Sequence, residues 1–120
     1  MAFQKVVAPP SLRHSPITTR FRPHRGKTGA HVELSKGAID SIGHPSAVHF
    51  EWDPDEHLLR IVASSPDDPA AYALTKAGRV SIAPILAVLP IEISEPVGPP
   101  TRADGPLALI ADLSEYRSAA

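Results

Sequence analysis

The sequence predicts an α+β domain, mostly β, built from two repeated units of short strands and short helices. Three observations carry this expectation. Fourteen prolines in 120 residues exclude long helices, because an interior proline removes a hydrogen bond and clashes with the preceding turn. Apolar and polar residues alternate over short runs, the period of a half-buried strand. Val80 and Ile82 repeat Val32 and Leu34 at a spacing of 48 residues, each pair following a basic, glycine-containing segment. With 42 % apolar residues but only 5 % aromatics, Val, Ile, Leu and Ala must build the single modest core that this length allows.

Taken in order, residues 1–19 carry Pro9-Pro10 and Pro16 without a sustained period and read as an extended or disordered arm. Ile17–Arg22 is β-rich and predicts a short strand that Pro23 ends. His31-Val32-Glu33-Leu34 alternates, Ser35 is an N-cap, and Ala38, Ile39 and Ile42 form one face of a helix that Gly43 closes. Ala47–Trp52 predicts a strand with Val48, Phe50 and Trp52 on one face. Asp53-Pro54-Asp55-Glu56 supplies turn chemistry, and His57–Val62 is the partner strand. Ser64–Pro69 reads as a polar linker.

The second unit follows the same order. Ala77–Ile82 is a strand, and Pro84 opens a helix with Ile85, Leu86 and Leu89 on its apolar face before Pro90 terminates it. Ile91 and Ile93 begin another strand, Pro96 to Pro106 is a long loop, and Leu107–Leu113 is an apolar strand. The expected organisation is a basic flexible arm (1–28), one domain of two units (29–63 and 77–113) and a C-terminal tail (114–120).

The net charge of −1 conceals an uneven distribution. Residues 1–36 hold seven Lys or Arg against Glu33 alone, a net +6; residues 37–120 hold five against twelve acids, a net −7. Arg20-Phe21-Arg22-Pro23-His24-Arg25-Gly26-Lys27 sets four fixed charges within eight residues. Such a cluster favours polyanions, because each phosphate it neutralises releases condensed counterions. It serves equally to neutralise an acidic protein surface.

The segment Lys76-Ala77-Gly78-Arg79-Val80-Ser81-Ile82-Ala83-Pro84 resembles the opening of the AbrB/SpoVT/MraZ-type swapped-hairpin family, K-x-G-R-V-x-I-P, with the proline one position later. Lys27–Ser35 is a looser version, and Ala38–Gly43 with Val48–Val62 is similar to the family's helix and hairpin. The likeness spans residues 27–113. It implies two swapped-hairpin units forming an intramolecular pseudo-dimer, and binding to double-stranded DNA through basic residues near the first strand. On that basis the nucleic-acid-binding candidates are Arg20, Arg22, Arg25, Lys27, Lys76 and Arg79, reaching phosphates more than base edges. The acidic turns Asp53-Asp55-Glu56 and Asp67-Asp68 would then face away from the duplex.

Other chemistries find less support. With no cysteine, disulfides, thiolate zinc sites and cysteine nucleophiles are excluded, and a cytoplasmic location is the expectation. His49 and His57 flank the acidic turn, but no helical His-x-x-x-His spacing accompanies them, so no metal is expected; His14 and His24 lie among positive charges. Gly26-Lys27-Thr28 fails as a phosphate loop because Phe21 stands where the motif needs its first glycine. There is no Gly-x-Ser-x-Gly, and Phe50 and Trp52 fit core packing better than base stacking. No run is long and apolar enough to span a bilayer, and Met1–Lys5 opens no secretory signal.

The expected function is therefore a DNA-binding transcriptional regulator or small architectural protein, not an enzyme, without a cofactor or membrane association, and with a homodimer left open. The alternative is a protein-interaction module: an adaptor, an antitoxin-like partner binder or a virion or assembly component.

Overall fold

The computed structural model describes residues 3–4, 16–23 and 29–118. Its elements are β1 (Thr19–Arg22), β2 (His31–Leu34), α1 (Lys36–Ser41), β3 (Ala47–Asp53), β4 (Leu58–Ser64), β5 (Tyr72–Ala73), β6 (Arg79–Ser81), α2 (Ala83–Leu86), β7 (Thr101–Ala103) and β8 (Ala108–Asp112), then a 3-10 turn at Ser114–Tyr116. They form two sheets, β1-β2-β6 and β5-β3-β4-β8-β7, in which every neighbouring pair is antiparallel. The molecule is thus α+β and mostly β. No helix among the described residues is long and apolar enough to cross a membrane.

Alternation places the core. Phe21, Val32, Leu34 and Val80 point inward from the small sheet and meet Val48, Leu59, Ile61, Leu109 and Ala111 from the large one in a single cluster. Both inner faces border that one cluster, so the outer faces of the two sheets are separate surfaces. Thr19, buried at the edge of this interior, bonds the Thr101 hydroxyl at 2.8 Å and links the two sheets through side chains. β1 lies within the segment read as the arm, yet it is a strand of the small sheet with Phe21 fully buried.

The first unit forms its elements for the reasons its residues suggest. The Ser35 hydroxyl accepts from the Ala38 N–H at 3.1 Å and caps α1, while Gly43 at φ +80° turns the chain away. The same hydroxyl accepts from Thr18 N–H and donates to the Pro16 carbonyl, so it also fixes the approach to β1. Val48, Phe50 and Trp52 share the inward face of β3, opposite Ala63, Ile61 and Leu59. At the β3–β4 turn the Asp53 carboxylate accepts from Asp55 and Glu56 N–H groups, at 2.9 and 3.1 Å.

The second unit departs from expectation in two places. Ile91 and Ile93 do not start a ladder; Ile91 makes one isolated bridge, to Arg117. The Pro96–Pro106 stretch is not all loop, since Thr101–Ala103 forms β7 and closes a hairpin with β8. Prolines cluster on either side of those three residues, and β7 pairs along one edge only, where a missing N–H costs least. β5 is a further short strand, paired with Ala47 and Val48 at the start of β3.

Gly78 explains why a glycine stands in the approach to β6. It has φ +79°, its carbonyl accepts from Leu34 N–H at 2.7 Å, and a Cβ there would lie 2.7 Å from the Leu34 carbonyl oxygen. A Cβ at Gly29, the corresponding approach to β2, would meet nothing within 4 Å.

A candidate nucleic-acid interface

The outer face of the small sheet collects its charge by register. Thr19 and Phe21 point inward from β1, so Arg20 and Arg22 point outward; on β2 the outward pair is His31 and Glu33, and on β6 it is Arg79 and Ser81. Arg20 pairs across to Glu33 and Glu33 to Arg79; Arg22 pairs across to His31 and His31 to Ser81. Directly opposed residues on one face lie about 5 Å apart at Cβ. Three arginines therefore surround one glutamate, the only acid on this face among the described residues.

Glu33 is held from several sides. Arg22 donates to its Oε1 through Nε, and His31 Nε2 lies 3.4 Å from the same oxygen. His31 Nδ1 is 3.2 Å from the Gly29 carbonyl, so only a doubly protonated ring would donate to both acceptors. Burial by itself would raise the Glu33 pKa. The hydrogen bonds from Arg22 and His31 and the charges of Arg22 and Arg79 outweigh it, and the carboxyl titrates below its ordinary value. Arg20 and Arg79 form no ion pair among the described residues.

Lys76 stands at the tip of the turn before β6. The turn is closed by Thr75 N–H to the Arg79 carbonyl at 3.0 Å and by Arg79 N–H to the Thr75 hydroxyl at 3.1 Å. Lys76 and Lys36 line one hollow with Leu34, Ile39 and Asp40, and His44 Nε2 holds the Asp40 carboxylate at 2.8 Å. The structure thus brings Arg20, Arg22 and Arg79 onto one face, with Lys76 at its end. The readings at Arg25 and Lys27 lie outside the described residues. Glu33 is not among the sequence-derived candidates, though its place in the alternating His31–Leu34 run already puts it on the side of His31.

The outer face of the large sheet has the opposite character. Glu51, Asp53 and Asp112 point outward, Asp68 and Asp104 join them, and Arg60 and Arg102 are the cations among them. Arg60 is held twice, by Glu51 at 3.0 Å and Asp104 at 3.2 Å. His49 lies between Glu51 at 3.1 Å and Asp68 at 3.3 Å. Asp68 also takes the Ser64 hydroxyl at 2.6 Å and the Ala70 N–H at 2.9 Å, so its oxygens are committed to the loop. His57, instead of joining a carboxylate cluster, packs against the edge of Trp52 with ring centroids 5.3 Å apart.

No protein-family model, curated protein or solved structure matches this chain.

Proposed function

We propose that this protein binds duplex DNA, as a transcriptional regulator or small architectural protein, through the outer face of its three-stranded sheet. The observation that carries this reading is the segregation of charge. Arg20, Arg22 and Arg79 converge on one outward face with Glu33 as its single acid among the described residues, while Glu51, Asp53, Asp104 and Asp112 gather on the outer face of the five-stranded sheet. Side chains of this kind reach phosphates on either side of a groove and hold register without a recognition helix. Lys76 extends the face along the turn before β6.

The same reading takes the body as an internal pseudo-dimer of two swapped-hairpin units. Its support lies in how the halves join. β2 and β6 are antiparallel with Val32 opposite Val80, and β4 and β8 are antiparallel with Arg60 opposite Ile110. The strand ahead of each half reaches into the other half: Phe21 of β1 makes an isolated bridge to Val97, ahead of the β7–β8 hairpin, and Tyr72 of β5 pairs with Val48 of β3. Covalent linkage of two such units replaces a bimolecular association by an intramolecular one.

The test is a mobility-shift series over salt concentration, with Arg79→Gln and Arg60→Gln beside the parent. Counterion release predicts that log affinity falls linearly with log salt, with a slope of about −0.9 per neutralised phosphate. Arg79→Gln is expected to reduce that slope by roughly one. Arg60→Gln is expected to leave binding unchanged, because Arg60 is already held by two carboxylates on the opposite sheet. No retention of duplex at low salt, or equal loss in both variants, overturns the reading. Retention of a protein partner after nuclease treatment, with no duplex binding, would instead favour an interaction module.

A further inference from the structure

Within the DNA-binding reading, on which this step rests, we infer that Glu33 is a built-in competitor for phosphate: it holds Arg22 in the unbound protein and yields it when a phosphodiester docks. Glu33 occupies the middle strand, opposite Arg20 on one side and Arg79 on the other, with Arg22 ion-paired to it and His31 beside it. A phosphate approaching the face meets the same cations from the same side. The carboxylate and the phosphate therefore compete for one set of donors.

The geometry makes this a releasable contact. The Arg22 side chain is 41 % exposed and that of Glu33 26 %, so the guanidinium reaches solvent by rotation without opening the core. An ion pair this exposed is weak, and a planar guanidinium presents the same fork to phosphate as to carboxylate. Among the described residues Arg22 contacts one acid, whereas Arg60 on the other sheet is held between Glu51 of β3 and Asp104, just after β7. Glu33 is ionised throughout the neutral range, since its neighbours hold its pKa below the ordinary glutamate value. Its charge thus subtracts from the face at every working pH and restrains indiscriminate binding to polyanions.

The experiment compares Glu33→Gln with the parent protein on the same duplex across a salt series, with circular dichroism to verify that both are folded. Removing one unit of negative charge about 5 Å from the cations is expected to raise affinity roughly 3- to 10-fold at low salt. The salt slope is expected to steepen by about 0.9, the equivalent of one further phosphate. Arg22→Gln and the double variant complete a cycle, and the gain from Glu33→Gln is expected to shrink below about twofold when Arg22 is absent. An unchanged or reduced affinity in Glu33→Gln while the parent binds overturns the inference and leaves the DNA reading standing. A full gain in the Arg22→Gln background also overturns it, since Glu33 would then act by general repulsion. If neither parent nor variant retains duplex at low salt, the DNA reading falls and the inference falls with it.

Discussion

The two sheets are made from the same alternating pattern and share one core, yet their outer faces do opposite things with charge. On the five-stranded sheet Arg60 sits between Glu51 and Asp104 and His49 lies between Glu51 and Asp68, and acids outnumber the arginines even though Arg102 makes no ion pair among the described residues. On the three-stranded sheet three arginines share one glutamate. The difference shows why the formal net charge of −1 describes neither surface. Matched pairs tie strands to each other, whereas unmatched cations on a rigid face remain available to an outside anion.

The largest effect is expected where that division of labour is bridged. Phe21 is fully buried and lies on the strand that carries Arg20 and Arg22, packed into the cluster shared by both sheets. Phe21→Ala is predicted to cost about 3–5 kcal/mol, through lost apolar burial and the cavity left behind. Urea denaturation followed by fluorescence of the single tryptophan, Trp52 on the other sheet, measures it. A loss near 1 kcal/mol would mean that the small sheet is attached more loosely than the common core implies.

A smaller effect, confined to the small sheet, is expected at Gly78. An alanine there pays both for a left-handed backbone and for a Cβ 2.7 Å from the Leu34 carbonyl, together about 2 kcal/mol. Gly29→Ala, with open space around its Cβ, is predicted to stay within about 0.5 kcal/mol. Thermal denaturation of the two variants side by side decides the matter. Equal losses would show that the two approaches to β2 and β6 are under the same constraint.

The contrast between these two glycines marks how far the sequence could be read. The strands β2, β3 and β4, the Ser35 cap and the Asp53 turn are local features, and alternation or a single side chain specifies each. β7 was hidden because three residues among prolines carry no measurable period. The bridge-only role of Ile91 was hidden because its partner, Arg117, is far away in sequence. The candidate face was half legible: alternation puts Arg20 and Arg22 on one side of β1. That Arg79 joins them depends on the pairing of β6 with β2, a non-local register that no short motif states. Glu33 required the same register before it could be seen as the centre of three arginines.

The smallest expected effect uses acid to weigh the two faces against each other. Among the described residues four carboxyl groups are held below the ordinary pKa of their kind, about 4.5 for Glu and 3.8 for Asp. Glu33 belongs to the small sheet. Glu51 is lowered mainly by His49 and then by Arg60, Asp68 by the Ser64 hydroxyl and the Ala70 N–H, and Asp112 by Ser114. A carboxyl whose pKa is depressed on folding stabilises the fold fully above its unfolded pKa, and that contribution disappears as pH falls through the folded pKa. Stability is therefore predicted to be level down to about pH 5 and to decline below it. Because three of the four groups belong to the large sheet or to its β4–β5 loop, Glu51→Gln combined with Asp112→Asn is expected to flatten the acid limb more than Glu33→Gln does. Thermal midpoints between pH 6 and pH 3 supply the comparison. A flatter acid limb in Glu33→Gln than in the double variant would place the larger electrostatic contribution to folding on the small sheet, and its arginines would then be committed to stability, leaving fewer of them free for an outside anion.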